Sequence, residues 1–185
     1  MTLQRPLQRC RKNLLFVMCA IVVCIGNISL HAQTSTPQQT TFILIRHAEK
    51  AVTPGTNDPD LSAEGQKRAE KLATLFQPTP SLAGIYTTPY KRTTQTVQPL
   101  AQVLGLPVQQ YAANSGEGFL DSLITKHVGK TVLIVGHSNT IPTLVNVLSG
   151  TNQYTPFDDA DYSNIFIVTV VRRGNAAITR LRYNP

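Results

Sequence analysis

Two stretches of the chain are apolar without a break, and each stops on a histidine. Phe42-Ile43-Leu44-Ile45 runs into Arg46-His47, and Val132-Leu133-Ile134-Val135 runs into Gly136-His137. Apolar runs without alternation belong to strands covered on both faces, so the sheet containing them must be sandwiched between helices. The intervening sequence supplies those helices. Ser62 is placed as an N-cap with Glu64 in the first turn, and Ala69, Leu72, Ala73 and Phe76 recur at offsets of one helical face. Val97, Leu100, Ala101 and Leu104 repeat the spacing, with Pro99 expected to kink or restart that helix. Phe119, Leu120, Leu123 and Ile124 predict a third helix, and Ile141, Leu144, Val145 and Leu148 a fourth. Gly84-Ile85-Tyr86-Thr87 is a further short strand. Residues 165–171 and 176–181 close the chain as two strands joined by a tight turn at Arg173-Gly174-Asn175. Strand–helix alternation of this kind means α/β with a mostly parallel sheet, whose ligand crevice lies at the carboxyl ends of the strands. Both histidines sit there.

The N-terminus is of another character. Arg5, Arg9, Arg11 and Lys12 precede an apolar run over residues 14–25, and Gly26, Asn27 and Ser29 interrupt it before Ala32. A spanning helix needs about 20 apolar residues. Residues 1–32 are therefore expected to be a signal peptide, an uncleaved anchor being the competing reading. Residues 33–41 are a polar lead-in, and 42–185 form the single domain. The mature protein is expected to be exported, to a periplasm or outside the cell, with no membrane association after cleavage. Cleavage removes Cys10, Cys19 and Cys24, the only three cysteines, which excludes disulfides, thiolate nucleophiles and cysteine metal sites from the domain. It also lowers the net charge from +7 to +3 and leaves no basic run, so nucleic acid is not an expected partner.

Three segments carry chemistry: Arg46-His47-Ala48-Glu49, then Thr87-Thr88-Pro89-Tyr90-Lys91-Arg92-Thr93, then Gly136-His137-Ser138-Asn139-Thr140. Guanidinium forks such as those of Arg46 and Arg92 suit a tetrahedral dianion, because they donate paired hydrogen bonds in fixed geometry. A helix opening at Asn139-Thr140 would add backbone N–H groups and the positive end of its dipole, with Ser138 and Asn139 at the substrate. Histidines among such cations have their protonated form disfavoured, which keeps the imidazole neutral and nucleophilic. Lys50 and Lys91 add positive potential at the mouth, which draws in anions. No metal is expected: His47, His137 and Glu49 can be drawn as a zinc triad, but the two arginines would repel the ion.

These segments, in this order and spanning about residues 41–171, resemble the three motifs of the histidine phosphatase superfamily, the group that includes cofactor-dependent phosphoglycerate mutases. The resemblance implies a three-layer α/β sandwich with helices on both faces of the sheet, and no cofactor. It implies that His47 is the phosphorylated nucleophile, that Arg46 and Arg92 grip the phosphoryl group and that His137 hydrogen-bonds it in the transition state. The substrate would be a small phosphorylated molecule, either a phosphomonoester or an activated phosphoryl group. Many members also carry an acidic residue after the second motif that protonates the leaving alcohol, and no clear match stands here. Glu117 is either that acid or a first-turn residue of the next helix. Glu49 is either the acid or a residue that orients Arg46 or Arg92. The readings in competition are a phosphatase, a mutase-like phosphotransferase and a non-catalytic phosphate sensor. Mutases carry an insertion where only about 24 residues separate Arg92 from Glu117, which favours hydrolysis. Elsewhere His127 is expected at the surface of a helix end, and Asp158-Asp159-Ala160-Asp161 as a solvated turn. Tyr86, Tyr90 and Tyr162 are expected in packing roles, with Tyr90 near enough to Arg92 to line the pocket. The sequence specifies no oligomeric state.

Overall fold

A computed structural model describes residues 38–79 and 82–184, so the signal-peptide reading of 1–32 lies outside the described residues. The elements alternate as the sequence predicts, with one further strand, β3: β1 (Thr40–Arg46), α1 (Ala63–Phe76), β2 (Leu82–Thr87), α2 (Lys91–Leu104), β3 (Val108–Gln110), α3 (Glu117–Lys126), β4 (Thr131–Gly136), α4 (Thr140–Ser149), β5 (Asn164–Arg172) and β6 (Asn175–Arg182). They form a six-stranded sheet in the order β3-β2-β4-β1-β5-β6. The first four of these strands run parallel, β5 is antiparallel to β1, and β6 is antiparallel to β5.

The two unbroken apolar strands are neighbours at the centre, Ile45 beside Val135 and Arg46 beside Gly136. Their successive side chains feed opposite faces. Phe42, Leu44, Val132 and Ile134 pack with Leu120 and Leu123 of α3 and with Ile141, Leu144, Val145 and Leu148 of α4. Ile43, Ile45, Leu133 and Val135 pack with Leu72 and Phe76 of α1 and with Val97 and Leu100 of α2. Each strand therefore supplies two cores at once, which is why neither can alternate with polar residues. The result is the expected three-layer α/β sandwich.

Three local expectations need correction. β1 begins at Thr40, so the last two residues taken as lead-in belong to the strand. Pro99 does not restart its helix: α2 runs continuously through it to a left-handed cap at Gly105. The buried face continues on both sides, with Thr96 and Val97 before Pro99 and Leu100 and Ala101 after it. Packing on the sheet outweighs a propensity cost of about 3 kcal/mol. His127 is buried, its Nε2 2.8 Å from the Tyr86 hydroxyl and its carbonyl accepting from Thr40 Oγ1. Gly84 leaves the room, since a methyl group there would lie 2.8 Å from the Tyr86 ring and 3.2 Å from His127 Cε1.

Candidate active site

Adjacent parallel strands end level with one another, so the two histidines meet. The His47 amide donates to the Gly136 carbonyl at 2.9 Å, and the rings of His47 and His137 stand 5.4 Å apart at 67°. Gly136 lets Thr140 and Tyr111 close over the strand end, because a methyl group there would meet Thr140 Oγ1 at 2.6 Å and the Tyr111 hydroxyl at 2.9 Å. The rings line a cavity of about 460 Å³ with Arg46, Arg92, Ser138 and Asn139 at its wall. Six of the seven residues singled out as catalytic or substrate-binding are thus brought together.

His47 is held in a single orientation and tautomer. Its Nδ1 lies 2.7 Å from the Ala48 carbonyl, which can only accept, so the proton of the neutral ring sits on Nδ1 and the lone pair on Nε2. Burial holds its pKa down at about 3, with Arg46, His137 and Arg92 acting in the same direction against the Ala48 carbonyl. The ring therefore stays neutral at neutral pH. The Ala48 amide is itself pinned by Thr96 Oγ1 at 2.8 Å, whose hydroxyl donates to the Arg92 carbonyl at 2.6 Å. The loop after β1 and α2 are thereby tied by one buried threonine.

His137 has the opposite tautomer. Arg92 Nη2 donates towards its Nδ1 at 3.5 Å, so Nε2 carries the proton and donates to Thr88 Oγ1 at 2.9 Å. Thr88 passes the chain on to Thr93, which donates to the carbonyls of Thr88 and Tyr90. Burial, then Arg92, then Arg46 lower the His137 pKa to about 4. A phosphoryl dianion drawing Arg92 towards itself would free Nδ1 and supply the negative charge that favours protonation there. His137 would then become a donor to the phosphoryl oxygens.

The two arginines are held differently. Arg46 is buried, its Nη1 donating to the carbonyls of Asp158, Asp159 and Asp161 at 2.9, 3.1 and 3.1 Å, with its guanidinium 4.0 Å from the centre of the Tyr162 ring. Its Nε is buried without a partner among the described residues. Arg92 lies 4.4 Å from the centre of the Tyr90 ring and reaches Asp58 Oδ1 at 3.5 Å. Asp58 also caps α2 by accepting from the Lys91 amide at 3.0 Å. Lys50 lines the cavity as expected, whereas Lys91 pairs with Asp60 at 3.5 Å.

Glu49 is the residue placed elsewhere. Arg68 Nε donates to both its oxygens at 2.9 Å, and Arg68 Nη2 to one of them at 2.7 Å. The carboxylate therefore orients neither Arg46 nor Arg92 and does not line the cavity. Glu117 is in the first turn of α3 and pairs with Arg173 at 3.0 Å, also away from the cavity. The acidic loop is more than a solvated turn, since its carbonyls hold Arg46 and Asp159 lines the cavity. Tyr162 and Tyr90 both line it, so neither is only a packing residue. Among the described residues no cluster of three or more metal-ligating side chains occurs.

Residues 42–113 match the sequence profile of the histidine phosphatase superfamily (branch 1). No match was found among curated proteins. Of the solved structures that are similar, the protein histidine phosphatase SixA complexed with tungstate has a TM-score of 0.64 at 20% identity, covering 77% of this chain and 96% of that one. The mycobacterial glucosyl-3-phosphoglycerate phosphatase gives 0.63 at 13% identity, over 80% and 99%. A phosphoserine phosphatase variant from Entamoeba histolytica, in complex with phosphoserine, gives 0.59 at 19% identity, over 76% and 95%. The profile is thus matched from β1 past the second motif, over residues 42–113, and the fold of these phosphatases is shared over 76–80% of this chain.

Proposed function

We propose that the protein is a phosphatase that hydrolyses small phosphorylated substrates through a phosphohistidine intermediate on His47. The observation that carries this reading is the orientation of His47. Its Nδ1 is held by the Ala48 carbonyl, which commits the lone pair to Nε2 in a cavity walled by Arg46, Arg92 and His137. Nε2 attacks phosphorus, the bond to the leaving group breaks, and the two arginines with His137 stabilise charge on the equatorial oxygens. Water then attacks phosphorus, and the N–P electron pair returns to Nε2. The similar solved structures named above are of phosphatases for quite different phosphorylated molecules, so hydrolysis is common to them and the leaving group is not.

The test is turnover of p-nitrophenyl phosphate by wild type and His47→Ala, with rapid acid and alkaline quenching of the wild-type enzyme. Activity should vanish in the variant, and a wild-type phosphoenzyme should survive alkali but be lost in acid, as a phosphoramidate is. Retained turnover in His47→Ala would sink the reading. The export expected from residues 1–32 belongs to the same proposal. N-terminal sequencing of the protein recovered from its native host should begin near Gln33, and a start at Met1 would refute it.

A further inference from the structure

An alkoxide expelled from phosphorus needs a proton, and a positioned acid typically contributes ~10²–10⁴-fold. The sites described so far supply none, because Glu49 is taken by Arg68 and Glu117 by Arg173. Among the described residues that line the cavity, the one carboxylate is that of Asp159.

The loop around Asp159 divides its three aspartates by task. Asp158 Oδ1 accepts from the Ala160 amide at 2.9 Å and closes the turn. Asp161 accepts from Ser163, Asn164 and Arg182 at 2.8, 2.8 and 3.1 Å, tying the loop to the start of β5 and the end of β6. The Asp159 carboxylate makes no hydrogen bond to the described residues. It is fully exposed, with Oδ1 3.9 Å from Arg46 Nη2, while its own backbone carbonyl accepts from Arg46 Nη1 at 3.1 Å. Its main chain is therefore fixed to the residue that grips phosphate, and its side chain is left free to turn at the rim.

The rim is where an acid is needed. In an in-line displacement the leaving oxygen departs opposite the attacking atom. His47 is buried at the base of the cavity, so the departing group must move towards solvent, where Asp159 stands. Arg46, Arg92 and Lys50 are the cations of the same cavity. A bound phosphoryl dianion engages them, which leaves the Asp159 carboxyl at the rim facing the departing group.

We propose that Asp159 is the leaving-group acid, which makes alkyl phosphomonoesters substrates as well as activated phosphoryl groups; this rests on the phosphohistidine reading of His47. As Nε2 of His47 bonds to phosphorus, the breaking P–O pair goes to the leaving oxygen, and that oxygen takes the Asp159 proton. In the second step the Asp159 carboxylate removes a proton from the attacking water, and the N–P pair returns to Nε2. The sum is alcohol and phosphate, with the acid restored.

The experiment compares wild type, Asp159→Asn, Asp159→Glu and His47→Ala on O-phosphoserine and on p-nitrophenyl phosphate, whose phenolate leaves almost unaided. Asp159→Asn should lower kcat/KM about 10²-fold or more on O-phosphoserine, and at least 20-fold less than that on p-nitrophenyl phosphate. Asp159→Glu should recover part of the difference. Equal losses on the two substrates would mean that Asp159 acts only through Arg46, and no loss on either would mean no role; both outcomes overturn the proposal. A wild type that cleaves the aryl but not the alkyl ester overturns it too, while leaving the nucleophile intact. Only turnover surviving in His47→Ala reaches back to the reading on which it rests.

Discussion

Two arginines are buried here to nearly the same degree, Arg46 at 4% exposure and Arg68 at 6%, and each lies over a tyrosine ring, Tyr162 at 4.0 Å and Tyr183 at 5.1 Å. They differ in what answers their charge. Arg68 has a full carboxylate fork from Glu49 and donates its remaining Nη1 to the Tyr183 carbonyl at 3.0 Å. Arg46 has neutral carbonyls, a single aspartate oxygen at 3.9 Å and a buried Nε with no partner among the described residues. One guanidinium is neutralised and serves the fold. The other is held in position with its charge uncancelled, a cost that makes sense only where an anion is to arrive. A buried charge answered by no more than one exposed carboxylate points to an anion site more clearly than the presence of arginine does.

Exchanging each arginine for methionine, which keeps the volume, should separate these roles. Arg46→Met should show the largest effect, a loss of kcat/KM of about 10³-fold on p-nitrophenyl phosphate, because a donor to the transition state is removed. Its Tm should stay level or rise, since a poorly compensated buried cation goes with it. Arg68→Met should do the reverse: turnover within about 10-fold of wild type, and stability lower by about 3 kcal/mol, because Glu49 is stranded. Adding Glu49→Leu to Arg68→Met should restore most of that stability. Thermal melts and initial rates on the same preparations decide it. If Arg46→Met melts early, or if Arg68→Met loses activity as severely as Arg46→Met, the contrast drawn above is wrong.

The same contrast explains what the sequence disclosed. Arg46, His47, Arg92 and His137 were legible because each sits at a strand end or helix start fixed by local pattern, and a parallel sheet brings such ends to one side. Ser138 and Asn139 followed from the turn after β4. Glu49 was expected at the site because it stands two residues from His47, while its partner, Arg68, lies 19 positions on in α1. Arg68 was invisible as a partner, since a basic residue on an amphipathic helix ordinarily faces water. Tyr162 and the carbonyls of the acidic loop had no local signal at all. They reach Arg46 because β5 runs antiparallel to β1, pairing Ile45 with Ile165, so that the loop entering β5 overhangs the carboxyl end of β1. The strands of the terminal hairpin were predictable, but not which strand they would flank. β3, three residues of Val-Gln-Gln, carries too little pattern to be seen and is a strand because it pairs with β2.

Acid titration sharpens the comparison on a smaller scale, because an uncancelled positive site should resist further protons and a neutralised one should not. Burial first, and then the cations of the site, depress His47 to about 3 and His137 to about 4, against about 6.5 for histidine in an unfolded chain. Between those values the unfolded chain binds protons that the folded site refuses. The stability from the two neutral rings is therefore complete above pH ~6.5 and is lost as the pH falls towards 4. His127, buried against Tyr86 and outside the cavity, is also depressed, by burial and then by Lys126, and contributes with the same sign. Phosphate distinguishes the two ends. Saturating phosphate should compensate the charge of Arg46 and Arg92, permit imidazolium at His137 and flatten the fall of Tm between pH 7 and 5. His127 lies outside its reach and should respond to acid as before. Tm measured across that range with and without phosphate, for wild type and His137→Gln, is the check. A slope flattened by phosphate in wild type but not in His137→Gln locates the sensitivity in the anion site. A slope indifferent to both locates it at His127, and the uncancelled charge of Arg46 would then have no bearing on how this protein meets acid.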